Sequence, residues 1–190
     1  PLAASVEHAR ELLETAEKNS ALLLSCSALR FVPEIGHLVP TEESGPLRHL
    51  HVIGPADPDS EYSGLFFYGI HHVEAALEIL GNPEVDPASL EVRAVRRGDT
   101  VVATLRIADT EVTFTFVVPG TGSRVPFHAT SVHQGAVVSH DLTLGGDYNA
   151  PALAEFLAAV EAGSTSRSPA QLLAPVTVLS AISSALERTS

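Results

Sequence analysis

Residues 90–118 carry the pattern that most restricts the fold. SLEVRAV, TVVATLRI and EVTFTFVV alternate apolar and polar positions and are broken by Arg97-Gly98-Asp99 and Ala108-Asp109-Thr110. A period of two sends successive side chains to opposite faces of a strand, and breaks this short reverse the chain at once. The segment therefore predicts an antiparallel meander. One face would carry Val101, Ala103, Leu105 and Ile107 with Val112, Phe114, Phe116 and Val118. The other would carry Val102, Thr104, Arg106, Thr113, Thr115 and Val117, with Arg106 the only charge among them. An apolar sheet face has to be covered, and apolar stretches of helical spacing run near 65–80, 151–162 and 169–187. Further strands are expected at LRHLHVIG, residues 47–54, and as one or two runs between 125 and 144 bending at Gln134-Gly135. The expected class is α+β: a mostly antiparallel open sheet with helices on one face.

The first thirty residues read differently. Ser5 is an N-cap candidate, Ala9, Leu12, Leu13 and Ala16 recur at helical spacing, and Asn19 closes the helix. ALLLSCSAL, residues 21–29, follows without a charge and is expected as a strand covered on both faces. A helix leading into such a strand should cross over from an earlier strand. Residues 1–30 thus read as the last helix and strand of a Rossmann-like domain, and residues 31–190 as a second, α+β domain. The chain opens at Pro1 and contains no Met, the mark expected of a processed or excised piece.

Eleven basic against 23 acidic residues leave a net charge of −12. That balance argues against tracking a phosphate backbone or docking on an anionic leaflet, since both need clustered cations. Charged residues are 18% of the chain and mean hydropathy is +0.19, so more apolar surface needs hiding than in a typical monomer. A subunit or domain interface would hide it. Cys26 is the only cysteine, which excludes an intrachain disulfide and a cysteine-rich zinc site and fits the cytoplasm. The charged N-terminus has no signal-peptide core, and the uncharged stretch 168–186 is broken by Pro169, Pro175, Gln171 and serines, as in a packed helix rather than a membrane span.

Few motifs carry chemistry outright. Nine histidines invite a metal reading, with His49 and His51 on one strand face and His71 and Glu74 within one helix turn. No HExxH run brings three ligands together, so no metal site is expected. Asp57, Asp59 and Glu61 lack the glycine and terminal glutamate of an EF-hand loop. Neither a G-x-S-x-G elbow nor a glycine-rich phosphate loop is present.

SGLFFYGIHHVEAALEILGN, residues 63–82, is similar to the signature of the glucose-fructose oxidoreductase and inositol dehydrogenase family (Gfo/Idh/MocA). That signature sets a glycine, a histidine two residues on and an acid three beyond it on a helix ending in Leu-Gly. Here these are Gly69, His71, Glu74, Leu80 and Gly81. PLAASVEHARELLETAEKN resembles the segment after the family's Glu-Lys-Pro motif, with Pro1 as its proline, and residues 156–187 resemble its C-terminal helix pair.

The resemblance implies an NAD(P)-dependent oxidoreductase of sugars, polyols or related hydroxyl compounds. NAD or NADP would bind mainly outside this chain, and the family's catalytic lysine would precede Pro1; Lys18, the single lysine, is no substitute. His71 would be the general acid/base, with Arg30, Tyr68 and Glu74 around the substrate, Glu74 orienting His71, and His72 structural enough that His72→Ala changes turnover little. Partners would be the small-molecule substrate, the chain's own Rossmann domain and a second copy paired through the sheet face. One departure stands out: Phe67 occupies the position of a family aspartate that holds substrate. It favours a second reading, a non-catalytic module that binds a sugar-like ligand or serves assembly.

Overall fold

The computed structural model describes residues 2–189. The expected meander forms as β2 (Arg93–Arg97), β3 (Thr100–Ile107) and β4 (Thr110–Val117), paired antiparallel from Arg93↔Thr104 to Ile107↔Thr110. β1 (Leu47–Pro55), β5 (His128–His133) and β6 (Val137–Asp141) complete a six-stranded sheet in the order β2-β3-β4-β1-β5-β6. Four neighbouring pairs are antiparallel; β1 and β4 are parallel at its centre. A parallel pair requires a crossover, and it is made by α3 (Gly69–Ile79) followed by the β2-β3 hairpin.

All helical cover lies on the face carrying Val101, Ala103, Leu105, Val112, Phe114 and Phe116, each buried. α3 packs on β1 and β4, and α5 (Pro169–Glu187) packs on α3 and β2. The close approach depends on Gly69, where a Cβ would lie 3.2 Å from the Phe116 ring and 3.4 Å from Leu179. α5 starts with the capping box of Ser168 and Gln171 and carries Pro175 in its interior. Leu172, Val176, Val178, Leu179 and Ile182 are buried, so this long apolar stretch is a core helix. The short α2 (Ile35–Leu38) closes the β5-β6 end.

Three expectations need correction. The run at 21–29 is not a strand: residues 21–27 join no ladder, and Ala28–Phe31 form a 3-10 turn. A strand's N–H and C=O groups need ladder partners, and none of the six strands pairs with this run. The preceding helix does form, as α1 (Val6–Lys18) with Ser5 as its cap, and it lies against α5 with Ala9 buried. The correspondence assigned to Pro1 lies outside the described residues. Second, the helix expected over 65–80 starts four residues late. Ser63 at φ 73° and Gly64 at φ 58° turn the chain into a 3-10 segment, Gly64–Phe66, before α3 begins. Third, α4 (Ala150–Ala162) does not share the core. Leu153, Phe156, Leu157 and Val160 are all exposed, and only Ala159 is buried, because α4 rests on the Ala28–Phe31 turn rather than on the sheet.

Candidate active site

α3 determines the geometry. Its positions 71 and 74 are one turn apart and both face the 27–30 segment. His71 Nδ1 lies 2.8 Å from Ser27 Oγ, and the Ser27 N–H donates to Glu74 Oε2 at 2.5 Å. Glu74 therefore orients His71 through Ser27, not by direct contact. Burial holds the His71 imidazole below its usual pKa, with the nearby Glu74 charge opposing the shift. The shift favours the neutral ring, and among the described residues its Nε2 has no hydrogen-bond partner.

Arg30 is placed otherwise than a substrate contact requires. Its Nε meets Glu74 Oε2 at 2.7 Å and its Nη1 meets Glu78 Oε2 at 2.8 Å, with Arg30 and Glu74 side chains only 2% and 3% exposed. Nη1 also donates to Asn82 Oδ1. The guanidinium thus lies at the C-terminal half of α3, where the helix dipole favours a cation, and ties that helix to the 27–30 segment. Glu74 belongs to the same buried pair.

Tyr68 stands immediately before α3 and opens on a cleft of about 790 Å³. The cleft is built where the sheet's strands end: Pro55 and Ala56 after β1, Pro119 after β4, Phe127 before β5, and Leu142 to Leu144 after β6. Tyr68 stacks on Phe127 with centroids 6.4 Å apart, and Phe67 meets both Tyr62 and Tyr68 at 5.1 Å. The His71 ring sits edge-on behind this wall, 5.9 Å from Tyr68 and 6.0 Å from Phe127.

His72, expected to be structural, is fully buried between Phe116 and Phe127, at 4.9 and 5.1 Å. Its Nδ1–H reaches the Tyr68 carbonyl at 3.3 Å. Gly54 of β1 leaves room for it: a Cβ there would stand 2.8 Å from His72 Nε2 and 2.7 Å from Phe127 Cδ1. His72→Ala would consequently empty a core position and is no silent control. Ser27, Phe127, Tyr62 and Arg124 escaped the sequence reading. Only Tyr62 had a visible signal, as part of the aromatic-rich EYSGLFFYG run. Among the described residues no group of three His, Cys, Asp or Glu could hold a metal ion.

No protein-family model matches the chain, and no curated protein matches it in sequence. Solved structures match in fold. A myo-inositol dehydrogenase from Corynebacterium glutamicum superposes with a TM-score of 0.72 at 18% identity over 99% of this chain and 69% of its own. GenD2 from gentamicin A biosynthesis, solved in complex with NAD, gives a TM-score of 0.71 at 18% identity over 100% of this chain and 67% of its own. A Gfo/Idh/MocA family oxidoreductase from Vibrio cholerae gives 0.68 at 16% identity over 97% and 67%. These superpositions support one conclusion: the chain carries the fold found in Gfo/Idh/MocA family oxidoreductases, over the roughly two thirds of their length that it matches.

Proposed function

We propose that this chain is the substrate-binding and assembly part of an NAD(P)-dependent oxidoreductase acting on a sugar, polyol or related hydroxyl compound. Residues 1–30 belong, on this reading, to its dinucleotide-binding domain, and the protein works in the cytoplasm. The observation that carries the proposal is His71: a neutral imidazole, oriented at Nδ1 by Ser27 and placed behind a cleft large enough for an organic substrate. The described residues contain no glycine-rich strand-to-helix turn that fits a dinucleotide's phosphates, so the chain's own share of the chemistry is the proton. With Nδ1 fixed, Nε2 is the atom that takes up a proton when a substrate hydroxyl is oxidised and returns it in the reverse direction. Tyr68 shapes the substrate wall, while Arg30 and Glu74 hold Ser27 and α3 in position.

The test uses the protein joined to its dinucleotide-binding part, with a panel of sugars and polyols and nicotinamide fluorescence as readout. His71→Ala is expected to lower turnover about 10²-fold with little change in KM. Because burial lowers the His71 pKa, the acid-side fall of wild-type oxidation should lie at lower pH than a free imidazole would set. A rise in KM with kcat unchanged would assign His71 to substrate binding rather than proton transfer. Absence of NAD or NADP reduction with every compound would favour the second reading, a non-catalytic sugar-like ligand-binding or assembly module, for which Phe67 in place of an acid is the specific support.

The sheet's outer face supports assembly. No helix of the described residues covers it: Val102, Thr104 and Arg106 are exposed, and Thr113 and Thr115 are half-exposed beside His49 and His51 at 2.9 Å. β-branched side chains fill the centre of this face beside the Arg106–Glu111 pair, with Arg93, Arg97 and the His128–Asp141 contact on the outer strands, and make a flat surface suited to a second copy. Light scattering at micromolar concentration should give twice the chain mass, with ~1,200 Å² or more buried in total. Thr113→Arg with Thr115→Glu should return the mass to that of one chain; a wild type that is already monomeric removes the idea.

A further inference from the structure

β1 sends two histidines to the uncovered face of the sheet. In LRHLHVIG a period of two turns Leu50 and Val52 into the core and leaves His49 and His51 on the other side, both half-buried. β1 is one of the two central strands, paired with β4. There His49 Nε2 lies 2.9 Å from Thr113 Oγ1, and His51 Nε2 lies 2.9 Å from Thr115 Oγ1. Among the described residues neither Nδ1 has a hydrogen-bond partner. Burial lowers the His51 pKa, and the charges of His49 and His128 act in the same direction.

The carboxylates of this face are already engaged. On β4 Glu111 stands across from His49, and its Oε1 accepts the Nε–H and an Nη2–H of Arg106 on β3 at 2.9 and 2.7 Å. Glu91 and Asp109 add their charge to the same Arg106. On β5 and β6 His128 Nδ1 lies 2.8 Å from Asp141 Oδ1. Arg48, beside His49 in β1, donates to Gln134, and Arg93 and Arg97 stand on β2. A proton added to His49 or His51 therefore meets arginines and no unengaged acid.

Six strands about 4.8 Å apart make a face about 24 Å wide, and five to nine residues at about 3.3 Å make it roughly 17–30 Å long. The ~600 Å² that each copy brings to a ~1,200 Å² dimer takes most of that area. A second copy consequently covers the central strands, and His49 and His51 with them, across a packed gap of about 10 Å. Charge selects how it lies. A two-fold axis parallel to the strands sets the Arg93 and Arg97 edge of one copy over the Asp141 edge of the other; an axis across the strands would set arginine over arginine. The first arrangement lays β1 over β4 of the second copy, so each imidazole faces neutral hydroxyls.

We propose that the sheet-face dimer is acid-sensitive: the copies hold together while His49 and His51 are neutral and separate when these rings take up protons. This rests on the dimer proposed above and adds its regulation. Closure buries two imidazoles from each copy. A proton on any of the four places an unpaired charge in a dry interface among arginines of both copies, which opposes association. Imidazoles titrate near pH 6.5, so the response falls close to neutrality. His128 is outside the switch, because Asp141 offsets its charge.

Each ring that must lose its proton to bind weakens association by up to about tenfold per pH unit below its free pKa. With four such rings, the dimer Kd should rise at least about 100-fold from about pH 7.5 to about pH 5.5. Sedimentation equilibrium of the full chain at constant ionic strength measures this. Near-UV circular dichroism of the same samples limits the comparison to pH values at which the chain is folded, which separates dissociation from acid unfolding. His49→Gln with His51→Gln offers amides to Thr113 and Thr115 but takes no proton, and its Kd should change less than about threefold over the same range. His51→Lys carries a permanent charge and should be monomeric at about pH 7.5. A dimer whose Kd is the same at both pH values, or a double Gln variant that dissociates in acid as readily as the wild type, overturns the switch and leaves the dimer standing. A wild type that is monomeric at about pH 7.5 overturns the dimer itself, and the switch with it.

Discussion

Glu74→Ala is expected to destabilise the protein by about 3–5 kcal/mol, the usual cost of removing one partner from a buried ion pair. The carboxylate is enclosed with Arg30 and accepts both the guanidinium Nε–H and the Ser27 N–H. Its loss strands a buried cation that cannot give up its proton. Glu78, which is partly exposed, and Asn82 offset only part of that charge. The reverse substitution should be gentler. Arg30→Met leaves the Glu74 carboxylate with the Ser27 N–H still donating to its Oε2, whereas Glu74→Ala leaves the Arg30 Nε–H without its acceptor. Urea midpoints of the two variants at about pH 7 test this asymmetry. Equal losses would mean the pair is solvated more than its burial implies. Because Ser27 hangs from Glu74 and positions His71, Glu74→Ala should also lower turnover in the joined protein even at temperatures where it remains folded.

The second large effect is loss of stability in acid through His72. Burial presses its pKa from the ordinary 6.5 to about 4, against weaker support from backbone hydrogen bonds. Above pH 6.5 the ring is neutral whether the chain is folded or not, and its packing contribution is complete. Between about 6.5 and 4 the unfolded chain binds a proton that the folded chain refuses, so stability falls as pH falls; below about 4 this contribution is spent. The interval of roughly 2.5 units corresponds to about 3 kcal/mol at 1.36 kcal/mol per unit. His71 and His51 shift the same way, also chiefly through burial, and add to the slope. His72→Gln keeps a donor for the Tyr68 carbonyl but does not titrate. Its stability should be lower at neutral pH and should decline less steeply through the same window. An unchanged slope would place the titration on other groups.

The residues explain which parts of this protein could be read in advance. The β2–β4 meander is legible because a period of two and a short polar break are local properties of the chain, and Ser5 and Ser168 cap their helices through bonds spanning three residues. α4 was legible as a helix but not as an exposed one: Leu153, Phe156, Leu157 and Val160 have helical spacing whether or not anything covers them. ALLLSCSAL failed as a strand for a related reason, since apolar content does not supply a ladder partner.

At the site the division is the same. The sequence by itself determined that Gly69, His71 and Glu74 fall within a turn and a half of one helix, since spacing along a helix requires nothing beyond the helix. It also concentrated Tyr62, Phe67 and Tyr68 in seven residues. Only the tertiary structure decided that Ser27, 44 residues before His71, would stand between it and Glu74. Folding also turned Arg30 inward to Glu74 and Glu78, and brought Phe127 and Arg124 to the Tyr68 wall. Those placements follow from sheet order and from the need of each buried charge for a partner, and neither is a local property of the chain.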